Sequence, residues 1–181
     1  METGEKKKIN RQARIVIIAL IVCVAAIAVL LFLNRDNIAA GRWAQQNATL
    51  TFAVTGQDDI EVDYDYICSL PATDFAATIR SSGQTPEEVI YTGVLLQDVL
   101  DDLDIDISGC QGIRVYAADG YAIAAQIDDV LDRDNVYLAY KIDGEVMKNR
   151  DQGGWGPYQI IIREDSFSQR WAKYVMKIEF F

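Results

Sequence analysis

The segment YTGVLLQDVLDDL, Tyr91–Leu103, changes its period part-way along, and that change sets how the rest of the chain is read. Val89, Ile90 and Tyr91 enter it as an extended apolar run. From Gly93 onward, Val94, Leu95, Val99 and Leu103 recur every three to four residues with Leu96 and Leu100 between them. Gln97, Asp98, Asp101 and Asp102 fill the remaining positions. A strand sends alternate residues to opposite faces, whereas a helix of 3.6 residues per turn returns to one face every three or four. The spacing predicts an amphipathic helix over Gly93–Leu103 whose apolar stripe faces a core.

On both sides of this segment the pattern is β-like. Upstream, Thr49–Thr55 (TLTFAVT) puts Leu50, Phe52 and Val54 on one face and stops at Gly56. Ile60–Tyr66 (IEVDYDY) alternates again, and Phe75–Ser82 (FAATIRSS) is expected to be a strand running into a Ser-Gly loop. Downstream, Ile113–Ala118 and Tyr121–Ile127 flank Asp119-Gly120, and Val136–Ile142 and Val146-Met147 flank Asp143-Gly144. Asp-Gly between alternating runs marks a hairpin, because the favoured two-residue turn needs positive φ at both central positions. Asp128–Asp132 reads as one helical turn. The loop Asn149–Pro157 (NRDQGGWGP), a strand Tyr158–Arg163 and a terminal strand Tyr174–Phe181 follow. Tyr64, Tyr66, Tyr116 and Tyr140 keep strand alternation, which predicts packing roles. Residues 49–181 are therefore expected to form one α+β domain in which strands outweigh helices.

The N-terminus is governed by different physics. Ile15–Leu33 reads IVIIALIVCVAAIAVLLFL, nineteen residues without a charge, glycine or proline. At about 1.5 Å per residue this helix would be about 28 Å long, close to the hydrocarbon thickness of a bilayer. Lys6, Lys7, Lys8, Arg11 and Arg14 precede it, and Arg35 and Asp36 follow. The positive-inside bias then predicts four regions: a cytoplasmic basic tail (1–14), a transmembrane helix (15–33), a stalk (34–48) and an extracytoplasmic domain (49–181). A cleaved signal peptide competes with an anchor. Its apolar core is normally about 7–15 residues and ends in a small-x-small site. Here the candidate is Ile38-Ala-Ala before Gly41, with Ile38 where a small residue is wanted, which favours the uncleaved anchor. Cys23 follows Ile21 and Val22 and reads as a helix residue, not a lipid-attachment site.

Charge and cysteine content exclude several functions. Residues 1–35 hold six basic and two acidic residues, leaving eleven basic against twenty-five acidic in 36–181, a net charge of −14. Such a surface repels nucleic acid and anionic head groups, so neither is expected as a partner. Asp101–Asp106 (DDLDID) lacks the glycine and the final glutamate of a calcium loop. The chain has no histidine, which removes His-based zinc sites, Ser-His-Asp triads and Cys-His dyads. Cys68 and Cys110 are the two thiols outside the apolar run, so at most one disulfide is open to them.

The order of the pieces carries more than any one of them. Val54-Thr-Gly56 comes first, then Tyr91-x-Gly-Val-x-Leu96 opening a helix, then Asp119-Gly-Tyr121. Tyr137-Leu-Ala139 with Asp143-Gly-Glu145, Gly156-Pro157 before an apolar strand, and Trp171-x-x-x-Val-x-Lys-Ile178 complete the series. Over about Thr49–Phe181 the chain resembles the oxidoreductase molybdopterin-binding domain of the sulfite oxidase superfamily, in its small prokaryotic membrane-linked form. The resemblance implies a mixed, β-rich α+β fold, here preceded by one transmembrane helix, and a pterin whose dithiolene binds molybdenum. In catalytic members a protein Cys completes the metal's coordination from the loop after the strand that precedes the Gly-Val-x-Leu helix.

In this chain that loop is Arg80-Ser81-Ser82-Gly83-Gln84, so a serine stands where the soft thiolate belongs. Cys68 lies about a strand earlier and Cys110 after the helix. The resemblance also implies that arginines and backbone amides grip the pterin phosphate or an oxyanion. The cofactor-binding candidates are Arg80, Ser81, Ser82, Arg150, Gly153, Gly154, Trp155 and Gly156. Arg163 and Arg170 fit a surface role equally well. Ser81 and Ser82 are also explained as solvent-facing turn residues, and Asp119-Gly120-Tyr121 by its turn and by strand packing. Gly153-Gly-Trp-Gly-Pro157 is either a ligand loop with close backbone approach and a flat indole, or a structural loop whose Trp155 caps the core. No catalytic residue or metal ligand is assigned. Two functions stay open. One is a membrane-anchored binding module for a ligand or a membrane or surface protein, without Cys-ligated molybdenum. The other is a working molybdopterin-dependent oxidoreductase exchanging electrons with a membrane partner.

Overall fold

The computed structural model describes residues 11–33 and 47–181. The expected tail up to residue 10, most of the stalk, and the Ile38-Ala-Ala site lie outside these residues. The chain divides into two units, Met1–Ala39 and Ala40–Phe181. In the first, α1 (Arg11–Leu33) is a continuous 23-residue helix. Its described side chains, Ile15 to Val29, are all exposed, Cys23 among them. Among the described residues no helix is long and apolar enough to cross a membrane.

The second unit holds two sheets. The first comprises β1 (Leu50–Val54), β2 (Ile60–Val62), β5 (Gly112–Ala117), β6 (Ala122–Gln126) and β10 (Val175–Phe180), ordered β2-β1-β10-β5-β6. Its pairs are antiparallel except β1 with β10, which run parallel with Phe52 beside Ile178. The second comprises β3 (Ala72–Ile79), β4 (Glu87–Leu95), β7 (Val136–Ile142), β8 (Glu145–Val146) and β9 (Gln159–Ile162). β4 lies between β3 and β7, and both β8 and β9 pair with β7. Leu50, Phe52, Ile113, Val115 and Phe180 of the first sheet share one buried cluster with Tyr91, Val94, Leu138 and Ile160–Ile162 of the second. The architecture is the β-rich mixed fold expected.

Three departures from the expected elements have local causes. The strand begun at Ile60 stops at Val62, and Tyr64–Ser69 is a helix, α2. Asp63 caps it, its carboxylate accepting the Tyr66 N–H at 2.8 Å. Helical spacing puts Tyr64 and Ile67 on the inner face, where Tyr64 stacks with Tyr158 and meets Tyr140 edge-on, both at 5.9 Å. Second, the helix expected over Gly93–Leu103 is only α3 (Leu96–Asp102), because Gly93–Leu95 extend β4. Gly93 belongs there because a Cβ would lie 2.6 Å from the Leu138 carbonyl oxygen, where β4 and β7 slip register. Leu96, Val99 and Leu100 are buried, so the core-facing stripe holds. Third, Asp143 and Gly144 both take positive φ, but at the other hairpin only Gly120 does. There the Gly120 N–H donates to Ala117 and the Ala117 N–H to the Tyr121 carbonyl, a longer turn closed by one left-handed glycine. The single turn before β7 is α4 (Ile127–Leu131). Cys68 and Cys110 are free thiols.

Candidate functional site

A cleft of about 410 Å³ opens along β3, within the size range of ligand sites. β3 contributes Ala76, Ala77 and Thr78, Arg80 follows at its end, and Glu88 comes from β4. The opposite wall is Arg133-Asp134-Asn135 before β7 and Arg163-Glu164 after β9, with Trp171 also lining the cleft.

The opposite wall is fixed by its own hydrogen bonds. Asn135 is buried, its Nδ2 donating to the Asp129 carbonyl and its Oδ1 accepting the Glu164 N–H, both at 3.0 Å. The Asn135 carbonyl accepts the Arg163 N–H at 3.0 Å. Asp134 sits at a φ of 68°, a conformation an L-residue with a Cβ adopts at a cost. Its carboxylate accepts the Tyr137 hydroxyl and an Arg163 Nη1–H, and its carbonyl accepts a second contact from the same nitrogen at 3.1 Å. The Tyr137 bond and then Arg163 hold the Asp134 carboxyl below the usual carboxylate range. Burial first, and the Asp134 bond second, push Tyr137 up to about 12. The Arg163 guanidinium lies 5.7 Å from the Phe75 ring centre, and Phe75 packs 4.2 Å from Tyr137. Arg163 is thus fixed and neutralised. Trp171 donates its indole N–H to the Ile162 carbonyl at 2.9 Å.

Arg80 and Arg133 differ from Arg163. Arg80 is held by its backbone, its N–H donating to Ser168 Oγ at 2.8 Å and its carbonyl accepting the Ser168 N–H at 3.1 Å. Neither guanidinium has a hydrogen-bond or ion-pair partner among the described residues. Both are exposed at the cleft. They are its free donors.

The sequence-derived candidates do not come together. Arg80 lines the cleft, whereas Ser81 and Ser82 are exposed in the turn closed by Gln84 N–H to the Ser81 carbonyl, 3.2 Å. Gly154 and Trp155 line a separate groove of about 240 Å³ with Ile142, Val146 and Met147. Arg150 lines neither space. The glycines of that loop answer to packing: a Cβ on Gly154 would lie 2.1 Å from the Lys148 carbonyl oxygen, and one on Gly156 2.5 Å from that of Met147. Their amides are engaged internally, Gly153 to Arg150, Gly154 to Asn149 and Gly156 to Lys148. Lys173 lies 3.5 Å over the Trp155 ring, its amine pushed down by burial. Arg170 is tied to Asp165 and, at 2.9 Å, to Asp129. The sequence reading missed Arg133, Asp134 and Asn135. A polar Asp-Arg-Asp-Asn run before a strand was the available signal, since functional side chains gather on loops set by a rigid scaffold.

Molybdenum ligated by a protein thiolate does not fit this cleft. Its lining offers carboxylate, amide and guanidinium groups and no sulfur. Cys68 is half-buried on α2, Cys110 half-buried before β5, and burial raises both thiols away from the thiolate a metal needs.

No curated protein sequence matches the chain. Among solved structures it is similar to the sulfane dehydrogenase SoxCD from Paracoccus pantotrophus, with a TM-score of 0.60 and 16% identity over 74% of this chain. That match spans 38% of the SoxCD chain, so it speaks for the fold alone. The family model of the oxidoreductase molybdopterin binding domain matches residues 40–181. The chain therefore belongs to the oxidoreductase molybdopterin binding domain family.

Proposed function

We propose that the chain is a membrane-anchored, extracytoplasmic binding module on the molybdopterin-domain fold, taking a ligand or partner protein in the β3 cleft without Cys-ligated molybdenum. The observation that carries this is the cleft's lining: two free guanidiniums, Arg80 and Arg133, and no cysteine. Arginine forks recognise carboxylates and phosphates, whereas the missing thiolate removes the donor that would complete the metal. The anchor is supported by the uncharged run Ile15–Leu33 and by the basic residues before it. A molybdopterin held by its phosphate alone is compatible with the two arginines.

The test is to purify the full chain in detergent from a host that makes molybdopterin, then to assay molybdenum and the fluorescent oxidised pterin. Molybdenum far below one atom per chain is expected. Near one atom per chain would overturn the proposal in favour of a working oxidoreductase, and Cys68→Ser and Cys110→Ser would then locate the ligand.

A further inference from the structure

The cleft is bounded by a sheet edge as well as by side chains. Among the described residues β3 pairs with β4 alone. In β4, Ile90 directs both backbone groups toward β7, its N–H to Asp143 Oδ1 at 3.0 Å and its carbonyl to the Asp143 N–H at 2.7 Å. Alternation then turns Val89 and Tyr91 toward β3, where they oppose Ala77 and Phe75. The backbone groups of Asp74, Ala76 and Thr78 must therefore face away from the sheet. The next outward residue, Arg80, shows what this edge accepts: both its backbone groups are bonded to Ser168. Ser168 meets Arg80 through one side-chain and one backbone bond, and among the described residues nothing meets the outward backbone groups of Thr78 and Ala76 beside the cleft.

Between Asp74, the one charged residue of β3, and Arg80 this edge carries no guard. Ala72–Ile79 contains no lysine, proline or bulge, and Ala76, Ala77 and Thr78 are small enough to leave the backbone reachable. Charge narrows the occupant further. Arg80, Arg133 and Arg163 are balanced by Glu88, Asp134 and Glu164, so the lining carries no net charge. A small polyanion would meet three carboxylates, whereas a peptide brings a neutral backbone with one carboxylate at its end.

We propose that the cleft binds an extended peptide, added as a strand to the free edge of β3, with its C-terminal carboxylate held by Arg80 and Arg133. This deepens the binding-module proposal and rests on it. Main-chain bonds to an edge supply affinity in such complexes, and the terminal charge supplies direction.

The experiment uses the detergent-solubilised full chain and a randomised hexapeptide pool with free C-terminal carboxylates, against the same pool amidated. Enrichment from the free-acid pool alone is expected, and Arg133→Gln should weaken the enriched peptide about tenfold, as loss of one charge-assisted contact does. Thr78→Pro removes an outward N–H without touching the β4 ladder and should weaken it similarly. Should that variant fail to fold, N-methylation of alternate amides of the peptide removes the same rungs from the other side. No enrichment, equal enrichment of both pools, or indifference to both backbone changes would overturn the inference. Inorganic phosphate binding without peptide binding would overturn it while leaving the binding-module proposal standing; stoichiometric molybdenum in the same preparation would overturn that proposal instead.

Discussion

Replacing Gly93 by alanine should be among the most damaging single-methyl changes in the domain, and the structure says why. Gly93 has no positive φ to lose, so the penalty is steric. The new Cβ would lie 2.6 Å from the Leu138 oxygen and 2.8 Å from Ala139 Cα, both backbone atoms of the neighbouring strand. Neither can rotate away, so β4 and β7 must separate where the register already slips. Overpacking of this kind costs about 3 kcal/mol when no side chain can yield. For a domain of this size about 1 kcal/mol corresponds to about 4 °C, so a loss of about 12 °C is expected. Gly120→Ala is the control. Nothing lies within 4 Å of its Cβ, but its φ of 87° penalises a side chain. It should cost about 1 kcal/mol. Thermal unfolding followed by tryptophan fluorescence suits the comparison, because Trp171 is buried edge-on to Tyr91, two residues from the substitution. Equal melting temperatures for the two variants would refute the reasoning.

Three further outcomes are expected. Asn135→Ala leaves the Asp129 carbonyl and the Glu164 N–H without partners and should cost about 2 kcal/mol by urea titration; an unchanged midpoint would show that the wall stands without it. The lowered Asp134 carboxyl stabilises the fold above the ordinary carboxylate range, near 4, and that contribution is lost as pH falls through its folded value. Asp134→Asn should therefore be less stable than wild type at pH 7, with the gap closing below about pH 4, and a gap that persists in acid would count against the linkage. Finally, Cys110 is half-buried but reachable, so a membrane-impermeant maleimide should label it in intact cells; labelling only after lysis would place the domain inside.

The sheets were legible because their pattern is local. Leu50, Phe52 and Val54 alternate, the two Asp-Gly turns mark hairpins, and both signals survive whatever surrounds them. What failed depended on partners distant in sequence. Tyr64 and Tyr66 keep strand alternation, yet the Asp63 cap and the ring stack with Tyr158 make that segment helical. Gly93 looks like a helix start until Leu138, 45 residues later, is laid against it. From sequence the Gly153–Gly156 loop reads as either a ligand loop or a structural one, for a related reason. Glycines permit close approach, but the sequence does not say to what, and here it is the chain's own Lys148 and Met147.

The walls of the cleft differ in how firmly they are held. Arg163 is held by Asp134 and two aromatic rings, so one wall persists whatever is bound. Among the described residues the Arg80 and Arg133 guanidiniums have no partner beside it, and the loop expected to carry sulfur is a solvent-facing serine turn. The domain's charge of −14 disfavours small anions at long range. That repulsion fades within about 8 Å at physiological salt, which leaves the balanced charges of the lining to decide among ligands at contact. A free strand edge adds donors and acceptors that no salt screens. A ligand that engages both the guanidiniums and the edge gains from each, whereas an oxyanion alone reaches only the first. On those terms the peptide has the advantage in the site that remains.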